Sequence, residues 1–467
     1  MPDQPCASAE MSRRRFLSLG AAGAAAGLFL PGQVAHGGGA GILTSRAATH
    51  QGGSAIRETL PNGLVVIVDE RRTAQTVAVE LTARAGARDD GAVHGVNVLT
   101  SRMMFQGTSR RPSETALQRA AAAVGGSVGR GTTTESSFYS SVVPADEFEL
   151  AIDLVSDIIV DPLLDEGALD RQKLIALQEI AQRRASPSNV LDELFQAAIF
   201  RGHPAATPVL GTPDSVDAVT RSSLVGTRAQ LWGASNLALT IVGHVRAADA
   251  LAAAQRLFGA LPRGAPNQRP PARVDLADAP QIVTETAGEQ QLVFRLGFPT
   301  AGLLDADRYP LTIMNAIMTG SAGRLFRELR SARGLAYVAG SGYTAYTDAG
   351  AWFAIAGVDP QNLDPAVELV QAEVAKLHAS APTEAEVSQR LTQISGRQII
   401  ADETNSARAG RLASQEILGT ESTDEYIRRI RQVTAADVHR VAQTYLVDQR
   451  MVLAIVGPAG GGDASAN

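Results

Sequence analysis

A single cysteine, Cys6, occurs in the 467 residues of the chain, and it falls within the first 36. The remainder has neither a disulfide nor a thiol nucleophile, which excludes cysteine-based catalysis. Histidine is almost as sparse. Of His36, His50, His94, His203, His244, His378 and His439, no two are four apart, so no helix can offer a pair of imidazoles to a metal. Only 4% of residues are aromatic, and the formal charge of −6 argues against nucleic acid as a partner, because phosphate binding needs a basic surface. After residue 36 no stretch of about 18 apolar residues occurs, so no membrane span is expected.

The rest of the composition, 45% hydrophobic and 19% charged, is that of a globular protein, and the length suffices for two or more domains with their own cores. The N-terminus reads Ser12-Arg-Arg-Arg-Phe-Leu17, followed by the small-residue apolar run Leu19 to Leu30. An arginine pair, Phe-Leu and a weakly hydrophobic segment too short to span a bilayer resemble a twin-arginine export signal. Residues 1–36 are assigned to it and 37–54 to a tether, which implies a periplasmic location. Removing Asp3, Glu10, Arg13, Arg14 and Arg15 takes away a net +1, leaving −7.

Beyond the tether the chain states one plan twice. Leu60-Pro-Asn-Gly leads into the β-branched strand Leu64 to Asp69, and Thr76 to Ala83 alternates as a second strand. Ser113 caps a helix to about Val124, Phe138 to Val143 is a strand, and Asp146 to Val160 and Glu166 to Arg184 read as helices. The half closes on Asn236 to Gly243. A Pro-rich linker at 263–278 separates this N-terminal domain, 55–262, from a second, 279–460, with a tail at 461–467. In the second, strands are expected over Gln291 to Phe298 and Ala351 to Val358, with helices near Arg308 to Met318, Leu363 to Leu377 and Glu384 to Ile400. Met451-Val-Leu-Ala-Ile-Val-Gly457 echoes Leu237-Ala-Leu-Thr-Ile-Val-Gly243, which points to internal duplication. Hairpin-like strand pairs favour a mixed or antiparallel sheet over parallel βαβ units.

Two stretches carry the chemistry. Gly95-Val-Asn-Val-Leu-Thr-Ser-Arg-Met-Met-Phe-Gln-Gly-Thr108 has apolar residues at helical spacing, Val96, Leu99, Met103 and Met104, and reads as a buried amphipathic helix. On it Val98, Ser101 and Arg102 stand at i, i+3 and i+4, the spacing at which zinc peptidases present two His ligands and a Glu base. None of the three is a ligand or a base. In the second half stands Gly320-Ser-Ala-Gly-Arg-Leu-Phe-Arg-Glu-Leu-Arg330-Ser-Ala-Arg-Gly-Leu-Ala-Tyr337. A phenol can donate to an oxyanion, and a guanidinium can hold a carbonyl or carboxylate.

These stretches resemble the insulinase/pitrilysin family of inverted-motif zinc peptidases, which includes the mitochondrial processing peptidase. That family's helix reads Gly-x-Ala-His-x-x-Glu-His-Met-x-Phe-x-Gly-Thr. Aligned on Met103, Phe105, Gly107 and Thr108, its His, Glu and His fall on Val98, Ser101 and Arg102. The resemblance implies an α+β fold: two homologous α/β-roll domains, each a mostly antiparallel sheet with helices packed on it, facing each other across a cavity. It places Glu179 at the distal ligand position, and Gln172 where a further acidic residue is usual. It makes Arg330 and Tyr337 the Arg/Tyr pair that reaches toward a zinc site, and Gly320 and Gly323 part of a glycine-containing, peptide-gripping loop. His203, in Gly202-His-Pro204, matches a loop without metal.

A chain that has lost the zinc half and kept the Arg/Tyr half is expected to hold no metal itself. It would act as the non-catalytic subunit of a two-subunit zinc peptidase, with zinc in a homologous His-x-x-Glu-His partner and a peptide as shared substrate. Two rivals are a catalytically silent structural or peptide-binding member, like the core subunits of respiratory complexes, and a peptidase with an unorthodox metal site on His94 and Glu179. A carboxylate left at the old metal position needs a counter-charge, so Arg102 is expected to pair with Glu179.

Overall fold

The computed structural model describes residues 55–287 and 292–457; the stretches read from the sequence as an export signal, a tether and a tail lie outside the described residues. Strands β1 (Ile56–Thr59), β2 (Val65–Glu70), β3 (Thr76–Ala83), β4 (Ser127–Thr132), β5 (Ser137–Pro144) and β6 (Leu237–Gly243) form one sheet in the order β1-β2-β6-β3-β5-β4. A second sheet holds β7 (Gln281–Thr286), β8 (Leu292–Thr300), β9 (Ala336–Ala345), β10 (Gly350–Val358) and β11 (Val452–Gly457), in the order β7-β11-β8-β10-β9. Every pairing is antiparallel except β2 with β6 and β7 with β11. The two echoing segments, β6 and β11, each sit between a parallel and an antiparallel neighbour, so the repeat seen in the sequence is a repeat of topology. β4 and β9 are the corresponding edge strands.

In the first half the helices are α1 (Val96–Met104), α2 (Glu114–Ala122), α3 (Phe148–Val160), α4 (Glu166–Arg184), α5 (Pro187–Ile199), α6 (Pro213–Ala218), α7 (Arg221–Leu231) and α8 (Ala247–Phe258). In the second they are α9 (Arg308–Met318), α10 (Arg324–Phe326), α11 (Leu363–Ala379), α12 (Glu384–Ala401), α13 (Asn405–Leu418), α14 (Thr423–Ile430) and α15 (Ala435–Tyr445). The helix expected from Asp146 begins as a 3-10 turn, Ala145–Glu147, and becomes α-helical at Phe148.

Each sheet buries both faces. Val77, Val79 and Leu81 of β3 point into a core shared with α1, α3 and α8, and the second sheet packs likewise on α9, α11 and α15. The opposite faces are covered by exchange. Val190, Leu191, Phe195 and Ile199 of α5, from the first half, lie against Val293, Ala351, Val452 and Ala454 of the second sheet. Ala409 of α13, from the second half, lies against Ala78 and Val242 of the first sheet. Arg57 with Glu416 at 2.7 Å, Arg408 with Asp69, and Asn405 with the Thr76 carbonyl at 2.9 Å fasten α13 there.

A buried ion network adds to the join. Arg88 reaches Glu135 at 2.5 Å and Asp348 at 3.0 Å, and Thr347 donates through its backbone and hydroxyl to Glu135. His203 accepts from Ala205 N–H at Nδ1, so its Nε2–H donates to Asp348, 3.0 Å away. Burial opposes ionisation of Asp348, but His203 and Arg88 outweigh it and hold the carboxyl well below the usual range. The Pro-rich linker is tied into the same network: Arg269 pairs with Asp89, and Ala272 N–H donates to Asp348 at 2.7 Å.

Candidate functional site

Helix α1 opens at Gly95, whose φ of +87° suits glycine and where a Cβ would lie 2.5 Å from the Leu210 carbonyl oxygen. Asp90 fixes this end, its carboxylate accepting from the N–H groups of Gly95 at 2.6 Å and Asn97 at 2.9 Å. All nine residues of α1 are buried, Asn97, Thr100, Ser101 and Arg102 included. The helix expected to be buried is buried on every side, and its polar stripe faces α4 and β4.

Three of the four positions that the resemblance aligns with the zinc motif lie on that stripe. Val98 is buried, and the Ser101 hydroxyl is buried without a hydrogen-bond partner, while its backbone carbonyl accepts from Tyr139 OH at 2.7 Å. Arg102 meets the fourth position. Its Nη1 lies 3.1 Å from Glu179 Oε1 and its Nη2 2.5 Å from Oε2, a two-bond fork between α1 and α4. Gln172, two turns earlier on α4, is buried.

An apolar side chain, a hydroxyl and a guanidinium give zinc no donor set, and Glu179 is already committed to a cation. His94 lies ahead of α1, outside the helix. Among the described residues no group of three or more His, Cys, Asp or Glu could hold a metal.

Sequence reasoning missed Arg130 of β4. Its guanidinium lies 5.8 Å from the Phe105 ring centroid, and burial together with nearby Arg102 lowers its pKa. No motif marks it, because β4 reads as a Gly-interrupted loop and acquires strand geometry only by pairing with β5.

In the second half, α10 continues into a π-helical stretch, Arg327–Ala332, a distortion that often accompanies a functional site. Arg330 is exposed there, with its guanidinium 5.2 Å from the Phe326 ring centroid. Tyr337 stands second in β9 and is 37% exposed, and its ring lies over Gly357 of β10, close enough that a Cβ there would fall 2.7 Å from Cε2. Burial and the neighbouring Asp359 push the phenol up to about 12. Gly320 has φ +82° and open space beside it, whereas a Cβ on Gly323 would strike the Thr319 carbonyl oxygen at 2.3 Å. Among the described residues no hydrogen bond or ion pair links Arg330 or Tyr337 to the Arg102–Glu179 pair.

With this geometry in view, comparison with known proteins is decisive. Residues 65–213 match the profile described as Insulinase (Peptidase family M16), and residues 218–394 the profile described as Peptidase M16 inactive domain. The chain belongs to the insulinase family. This insulinase-family chain is 29% identical to an uncharacterized zinc protease of Mycobacterium leprae, over 86% of its own length and 91% of that protein's. The solved structure of a peptidase M16 inactive domain from Pseudomonas fluorescens superposes with a TM-score of 0.80 at 22% identity, covering 87% of this chain and 98% of that one. A protease from Helicobacter pylori gives 0.82 at 18%, over 87% and 100%. The two-sheet fold is the fold of insulinase-family peptidases, and α1 of this member carries no histidine, cysteine or acidic residue.

Proposed function

We propose that this insulinase-family chain is a metal-free subunit of a two-subunit zinc peptidase, exported to the periplasm and inert alone. The observation that carries the reading is a division within one chain. The zinc positions are filled by Val98, Ser101 and an Arg102–Glu179 ion pair, while Arg330 and Tyr337 keep exposed functional groups on a distorted helix and an edge strand. Ion-pairing removes the chance of metal at home; an exposed Arg and Tyr have work only if a reacting carbonyl comes to them.

The chemistry asked of them is electrostatic. A phenol held near 12 stays protonated at neutral pH, so Tyr337 would donate a hydrogen bond to the oxyanion formed when zinc-activated water attacks a peptide carbonyl in the partner. Arg330 would orient the peptide through its carbonyl or carboxylate. Gly320, with open space beside it, would leave room for the peptide backbone, whereas Gly323 would shape the loop through its close packing on Thr319, and the open edges of β4 and β9 offer unpaired backbone groups to an extended chain.

The test is hydrolysis of a peptide library by this chain alone, by a His-x-x-Glu-His homologue alone, and by the mixture. Activity confined to the mixture, and reduced about 100-fold by Tyr337→Phe, supports the shared active site. A stable complex whose activity ignores Tyr337 and Arg330 would instead favour the silent structural or peptide-binding member.

A further inference from the structure

A cavity of about 290 Å³ lies in the second half, away from both the α1 stripe and the Arg330–Tyr337 segment. It forms where α9, β9, α12, α13 and α14 converge, and its wall holds three guanidinium groups, Arg308, Arg397 and Arg411, against one carboxylate, Glu421. Two of the cations are neutralised internally. Arg308 pairs with Glu421, and Arg411 with Asp402, which Arg408 also approaches at 3.9 Å while pairing with Asp69. Among the described residues the exposed Arg397 has no hydrogen bond or ion pair, so the cavity carries one guanidinium in excess.

Two further donors in the wall are unused. Nη1 of Arg411, a residue only 7% exposed, and the hydroxyl of Thr420 are both buried without a partner. An unmade buried hydrogen bond costs about 1–3 kcal/mol, which an occupant accepting from these two donors would recover. Unspent donors, an uncompensated cation and a concave, solvent-accessible space in one place are what a bound oxyanion would complete. The rings of Tyr343 and Tyr426 supply apolar wall beside these donors, and the volume falls at the small end of ligand sites.

We infer that this cavity binds a small organic oxyanion, a carboxylate or phosphate of metabolite size, held by Arg397, Arg411 and Thr420. Arg411 and Gln415 also belong to α13, the helix that covers the sheet of the other half. Occupancy therefore braces the join between the halves. The inference does not rest on the proposed peptidase partnership.

Isothermal titration of the purified chain with phosphate, and separately with succinate, at ionic strength held constant with chloride, tests it. Saturable one-to-one binding of either, weakened at least tenfold by Arg397→Gln and by Thr420→Val but not by Arg171→Gln on distant α4, is the expected result. Binding of phosphate alone or succinate alone identifies the oxyanion chemistry. No saturable binding of either, or binding that ignores Arg397, overturns the inference. Arg397 is exposed, so its replacement leaves the fold intact, which circular dichroism verifies.

Discussion

The guanidinium of Arg102 and the carboxylate of Glu179 stand in the fork geometry of a strong ion pair, at positions that the resemblance aligns with the family's metal motif. Arg102 is 8% exposed and its Nε already lacks a partner, so it depends on Glu179 for its remaining bonds. Glu179→Gln should lower stability by about 1–2 kcal/mol. This is less than the ~3–5 expected for breaking a fully buried pair, because the Glu179 side chain is 41% exposed and water screens it. Adding Arg102→Met should restore most of the loss. Urea denaturation of the four proteins in a double-mutant cycle measures the coupling; strictly additive single effects would show that the pair contributes nothing.

The same proximity predicts that the metal site can be rebuilt. Since Glu179 reaches the side chain at position 102, a triple replacement Val98→His, Ser101→Glu and Arg102→His should place two imidazoles and a carboxylate around one point. The rebuilt chain should retain about one zinc per molecule after dialysis, by elemental analysis, and lose it with Glu179→Ala. Retention indifferent to Glu179 would remove that residue from the old ligand set.

Tyr337 can be disturbed without touching it. A methyl group at Gly357 falls 2.7 Å from the ring, and the half-exposed ring can swing away cheaply. Gly357→Ala should therefore leave the thermal midpoint within a few degrees of the parent yet reduce activity of the two-subunit mixture as much as Tyr337→Phe. Full activity in this variant would mean that the ring's position is immaterial.

Glu80 supplies a pH prediction. It is buried on β3 with, among the described residues, only the Thr82 hydroxyl, 3.1 Å away, as hydrogen-bond partner, beneath Gly410 of α13, and burial pushes its pKa up to about 7. The folded state thus keeps a proton that the unfolded chain releases near its ordinary value of about 4.3. Stability should fall as pH rises from about 4.5 to about 7, by on the order of 3 kcal/mol from this group. Glu80→Gln removes that component, so its urea midpoint relative to the parent should be higher at pH 8 than at pH 5. Equal differences at the two pH values would show that Glu80 ionises freely.

Much of this architecture was legible because local rules and tertiary context agree. Thr76 to Ala83 and Glu166 to Arg184 have the bounds their periodicity implies, and Ser113 caps α2 by accepting from Ala116 N–H. The Arg102–Glu179 contact followed from a charge argument. Context was the part that could not be read. The polar face of α1 is buried because α4 and β4 cover it, and Arg130 enters the site only through sheet pairing with β5. The cavity between α9 and α14 joins residues from Leu303 to Tyr426 that share no motif. Helix α13 has its signals in plain view, Thr404 at the N-cap and Gly419 in the left-handed region at its end. Nothing local says that it crosses to the other half's sheet.

That crossing makes the two halves mutual lids. A half-length fragment would leave one face of its sheet bare and carry a helix, α5 or α13, with no surface to cover. A proteolytic nick in the linker would accordingly leave both pieces clasped, and the two halves made as separate chains would mature only by complementation.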